Sequence, residues 1–169
     1  MRIIPVGLVL LALQRTVLVD FKVAGVVIEL LMATAAAAGV AGGSERGAIM
    51  GFTLGLMFDL AEGTPLGSTA IALTIAGTVA GLLALVAADP QWWLGAIFVA
   101  LGTAAGVVMV PVVRLFIGET HPFTADLIVV VPVASAAAAI MSPVLIPLAR
   151  WCLRVKRPEW KQPMAETST

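Results

Sequence analysis

Hydrophobic residues run through the chain in long blocks rather than in the short-period alternation of a half-buried strand or helix, so the charged positions mark where segments end. Residues 63–88, 90–113 and 127–149 contain no Asp, Glu, Lys or Arg. A charge is costly at the bilayer centre, and each of these runs exceeds the roughly 20 apolar residues that cross a membrane. The front half has shorter charge-free runs, at 3–14, 30–44 and 47–58. The pattern predicts six helices, at about 3–19, 23–43, 46–60, 66–88, 91–117 and 124–152, with a polar tail over 156–169. Arg15 and Glu29 then fall inside spans. The third segment either crosses or re-enters, because its charge-free run is shorter than a full span. The expected fold class is all-α integral membrane, a six-helix transmembrane bundle.

Composition agrees with that reading. Of 169 residues, 60% are hydrophobic and 12% charged, against roughly 25% charged in an ordinary soluble domain. A soluble globular domain is excluded, and six spans leave no room for an extramembrane catalytic domain. Ten Lys and Arg balance ten Asp and Glu, which gives no footprint for nucleic acid. The single cysteine, Cys152, excludes an intramolecular disulfide. The apolar start reads as a first span rather than a cleaved leader, since no small-residue cleavage site precedes Arg15.

The placement of charge says more than its sum. With six spans both termini share a side, and that side holds Arg2, Arg46, Arg150, Arg154, Lys156, Arg157 and Lys161, leaving Arg15, Lys22 and Arg114 opposite. The excess of basic residues places both termini in the cytoplasm. Trp92, Trp93, Trp151 and Trp160 fall at the same side, as rings at a headgroup layer do.

Helices in lipid associate by close packing, and small residues four apart let backbones approach. The third segment carries Gly47, Gly51 and Gly55, then Asp59, all four apart and so nearly on one face. The second offers Ala35, Gly39 and Gly43, the fourth Gly77 and Gly81, and the fifth Gly102 and Gly106. Such grooves either close the bundle or receive a partner's helix. Arg15 and Glu29 sit at similar depth in the outer leaflet, where they either form an ion pair or stand apart, Arg15 snorkelling and Glu29 protonated or wet. Asp59 precedes a turn containing Gly63, Pro65 and Gly67; it either accepts backbone N–H bonds there or binds a ligand or proton. Pro132, Pro143 and Pro147 are expected to kink the sixth helix or free its carbonyls.

Candidate catalytic chemistry is sparse. The only histidine, His121, lies in the loop Glu119-Thr120-His121-Pro122 with no cysteine near it. The chain has no phosphate-binding glycine loop ending in Lys-Ser/Thr, no Cys/His metal spacing and no nucleophile elbow. No catalytic, cofactor or metal site is expected.

The stretch Gly51-Phe52-Thr53-Leu54-Gly55-Leu56-Met57-Phe58-Asp59-Leu60, followed by Gly63-Thr64-Pro65-Leu66-Gly67, resembles the bacterial rod-shape-determining MreD family. That family shows Gly-Phe-x-x-Gly-Leu-x-x-Asp-Leu, then a turn with Pro-Leu-Gly, then another apolar helix. The resemblance implies a non-enzymatic subunit of the cell-elongation machinery in the bacterial inner membrane. It would bind the bitopic protein MreC and help organise the lipid-linked peptidoglycan polymerase and its transpeptidase, with membrane lipids around it. The family is also similar in fold to the substrate-binding subunits of energy-coupling-factor transporters. That likeness supplies the alternative, a small-molecule-binding subunit of a vitamin transporter. A vitamin pocket needs convergent polar groups, and this chain has no Asn and no Tyr.

Overall fold

The computed structural model describes residues 3–13, 22–23, 26–27, 30–63, 65–86, 92–118 and 127–154. Six helices account for nearly all of them: α1 (Ile3–Leu13), α2 (Leu30–Gly42), α3 (Ser44–Glu62), α4 (Ser68–Val86), α5 (Trp92–Ile117) and α6 (Leu127–Leu153). Three, α4, α5 and α6, contain stretches long and apolar enough to cross a membrane: Ser68–Val86, Trp93–Ile117 and Leu127–Leu153. Those three apolar helices identify a membrane protein.

The second segment departs from the sequence expectation. A helix was expected from residue 23, but β1 (Lys22–Val23) and β2 (Val26–Val27) form a short antiparallel ladder with Lys22 opposite Val27 and Val23 opposite Val26. Hydrophobicity alone does not separate a strand from a helix. The β-branched Val23, Val26 and Val27 favour the pleated form, so α2 begins only at Leu30. At 1.5 Å per residue it is about 20 Å long.

That short helix is the centre of the molecule. Every residue from Leu30 to Gly39 is buried, and α2 packs against α3, α4, α5 and α6. Ala35, Ala36, Ala37 and Ala38 present small side chains around the whole circumference, and all four are fully buried. A helix that is apolar all round and contacts neighbours on every side has no lipid-facing stripe to show.

In α4 the inside is distinguished from the outside by size rather than polarity. Its buried residues are Ala70, Ala72, Leu73, Ala76, Gly77, Ala80 and Gly81, whereas Ile71, Leu82, Leu85 and Val86 face outward. Close packing supplies the attraction where the surrounding solvent is itself apolar, and small residues maximise it.

Three prolines lie inside α6, yet the helix is continuous. Pro143 has no N–H to offer the carbonyl of Ala139 one turn back. The Ser142 hydroxyl donates to that carbonyl instead, at 2.8 Å. The buried hydroxyls of Thr34 and Thr103 likewise donate to Leu30 and Val99 of their own helices. Among the described residues, no buried side-chain nitrogen or oxygen lacks a hydrogen-bond partner.

Candidate functional site: the corner of α3, α4 and α5

The glycines of α3 are spent on α4. A Cβ on Gly47 would lie 2.5 Å from the Gly77 carbonyl oxygen, and one on Gly77 would collide with the Gly47 carbonyl in turn. A Cβ on Gly51 would run into the backbone carbonyl of Leu73, and one on Gly55 into the Cα of Ala70. Further along, Gly81 abuts Ser44, and Gly39 of α2 abuts Gly77. The groove that the four-residue spacing announces is therefore filled by this chain's own α4. A partner's helix on that face, one of the two readings of the sequence, is corrected: α4 already lies there at backbone contact. Gly102 and Gly106 of α5 do the same work against Ala76, Ala80 and Met32.

Asp59 ends the glycine face and starts the next helix. It is fully buried. Its Oδ2 accepts the backbone N–H of Gly67 at 2.8 Å and of Ala70 at 3.4 Å; its Oδ1 accepts the N–H of Thr69 at 3.2 Å and the Ser68 hydroxyl at 3.4 Å. The carbonyl of Gly67 accepts the first bond of α4, from Ile71 N–H, so Gly67 occupies the capping position without a side chain to cap with. Asp59 reaches over from α3 and supplies that cap, and its negative charge meets the positive end of the α4 dipole. Of the readings the sequence left open for Asp59, the structure has the backbone-accepting one.

The turn between the helices requires glycine at two points. Gly63 ends α3 in the left-handed region (φ 69°) and returns its N–H to the Asp59 carbonyl. Gly67 has φ 96°, a conformation that side-chain-bearing residues rarely adopt, and this turns its N–H onto the carboxylate. Pro65 lies between them and its carbonyl accepts the Ser68 N–H. Phe52 lies off the glycine face, half exposed on the adjoining face of α3 with Ile49 and Leu60.

Beside the capped end lies a cavity of about 170 Å³. It is lined by Phe58 of α3, Pro65 of the turn, Ser68 and Thr69 of α4, and Val110, Arg114 and Ile117 of α5. Arg114 was a pocket-lining candidate of the transport alternative, whereas Ser68 and Thr69 were not anticipated from the sequence; the polar Ser-Thr pair directly after Gly67 was the available signal. At the opposite end of the bundle, Gly42 abuts both Arg46 and Leu153, which brings the start of α3 beside the end of α6 and gathers Arg46, Arg150 and Arg154 at one end.

The Arg15–Glu29 pair, the loop histidine His121, Trp160 and the basic residues of the tail lie outside the described residues. Among the described residues no cluster of His, Cys, Asp and Glu could hold a metal ion. Compared with protein-family models, with curated proteins and with solved structures, the chain matches none of them.

Proposed function

We propose that this protein is a non-enzymatic, multi-pass scaffold of the bacterial cell-elongation machinery. In this reading six segments cross the inner membrane with both termini in the cytoplasm, and the chain holds an MreC-type bitopic protein. Through that partner it helps position the lipid-linked peptidoglycan polymerase and transpeptidase. The observation that carries the reading is that the stretch resembling the MreD family builds a single, internally satisfied corner. Gly51 and Gly55 bring α3 onto α4, and Asp59, Gly63, Pro65 and Gly67 set the turn and cap between them. A motif that spends its glycines and its carboxylate on its own backbone serves shape. The gathering of Arg46, Arg150 and Arg154 at one end supports the orientation.

With the glycine face occupied, the partner's helix goes to the adjoining face of α3. Ile49, Phe52 and Leu60 are exposed there at helical spacing. The test is to solubilise native membranes in mild detergent, recover the tagged chain and identify what accompanies it. An MreC-type protein together with the elongation polymerase is the expected result. Recovery of an ATPase and its coupling subunit instead would make the protein a transport component and overturn the proposal.

A further inference from the structure

We propose that the cavity between α3, α4 and α5 holds the phosphate of a membrane phospholipid headgroup. The inference needs only that α5 crosses the bilayer and does not depend on the scaffold reading. Arg114 lies in the last turn of α5, at the end of one of the three helices long enough to span. That depth is the headgroup layer. A guanidinium carries five N–H donors in a planar fork that matches a phosphate, so it can serve a lipid alongside another partner. Ser68 and Thr69 line the same cavity, the Ser68 hydroxyl being shared with Asp59.

The rest of the lining suits the part of a lipid next to its phosphate. Phe58, Pro65 and Val110 offer apolar surface for glycerol carbons. Size decides between ligand classes. At about 170 Å³ the cavity is smaller than the roughly 300–1,000 Å³ of sites that enclose a whole small molecule, yet well above the roughly 10–15 Å³ that one water needs. It fits a headgroup fragment whose tails stay in the bilayer. The phosphate does not compete for the α4 N-terminus, because Asp59 already takes the N–H groups of Gly67, Thr69 and Ala70.

The experiment is native mass spectrometry of the full chain released from detergent with added dioleoylphosphatidylglycerol. Retention of one lipid is expected, reduced about tenfold in Arg114→Gln, the loss of one charge-assisted contact. Val110→Phe, which fills the cavity and leaves the charge in place, should reduce it similarly. Dioleoylglycerol, which lacks the phosphate, should not be retained. Unchanged retention in Arg114→Gln variants that keep their helical circular dichroism, or equal retention of dioleoylglycerol, would overturn the proposal. So would Arg114-dependent stabilisation by inorganic phosphate without lipid retention, which would make the ligand a free anion.

Discussion

Replacing Asp59 with alanine should destabilise the protein by about 3 kcal/mol or more, the largest effect expected of any single side-chain truncation here. The carboxylate is fully buried and accepts from three backbone N–H groups and one hydroxyl. Removing it strands those donors inside the packed corner and leaves the first turn of α4 uncapped. Asparagine separates shape from chemistry. Both Asp59 oxygens are acceptors, Oδ1 toward Thr69 and Ser68, Oδ2 toward Gly67 and Ala70. Whichever way an asparagine amide is turned, its NH₂ faces backbone donors. Asp59→Asn should therefore fall between wild type and alanine, at about 1.5–3 kcal/mol. Thermal unfolding of the purified variants in detergent checks the order. An alanine variant as stable as wild type would show that the cap is not needed.

The second large effect is expected at Gly51. Overpacking usually costs about 1–3 kcal/mol because flexible side chains can yield. At Gly51 the obstacle is the Leu73 carbonyl and the Thr74 nitrogen, which are backbone. Gly51→Leu should force α3 and α4 apart and cost more than that range, with loss of a monodisperse peak in size-exclusion chromatography. Gly95 is the control, since a Cβ there would meet the end of the Ile146 side chain at 3.2 Å. Gly95→Ala should be tolerated, helped by the better helix propensity of alanine, worth up to about 1 kcal/mol. Equal tolerance at Gly51 and Gly95 would contradict the backbone contact.

Much of this architecture was legible in the sequence. The charge-free runs located α4, α5 and α6, because nothing else in a chain so apolar ends a segment as clearly as a charge. The spacing of Gly47, Gly51, Gly55 and Asp59 marked one face of α3, and Gly63, Pro65 and Gly67 marked the turn. What the spacing could not say is what lies against that face. A row of small residues reads the same whether it meets a helix of its own chain or a stranger's. The occupant, α4, emerged only from tertiary packing. The start of α2 was misplaced for a related reason: in an apolar stretch, periodicity carries no information, and only the β-branched valines at 23, 26 and 27 hinted at a ladder. The sequence offered backbone N–H groups of the turn as one set of partners for Asp59, as at Gly67; that the donors extend to Thr69 and Ala70 of α4 emerged only from packing, since the cap comes from the preceding helix and not from the residue at the helix start.

The scaffold proposal places the partner on the α3 face beside the glycines, and a photo-crosslinking amino acid reads that face directly in growing cells. At Phe52, half exposed on α3, irradiation should yield an adduct with an MreC-type bitopic protein, and at Ile140, exposed on α6, it should not. Adducts at Ile140 alone, or none to such a protein from either position, would contradict it.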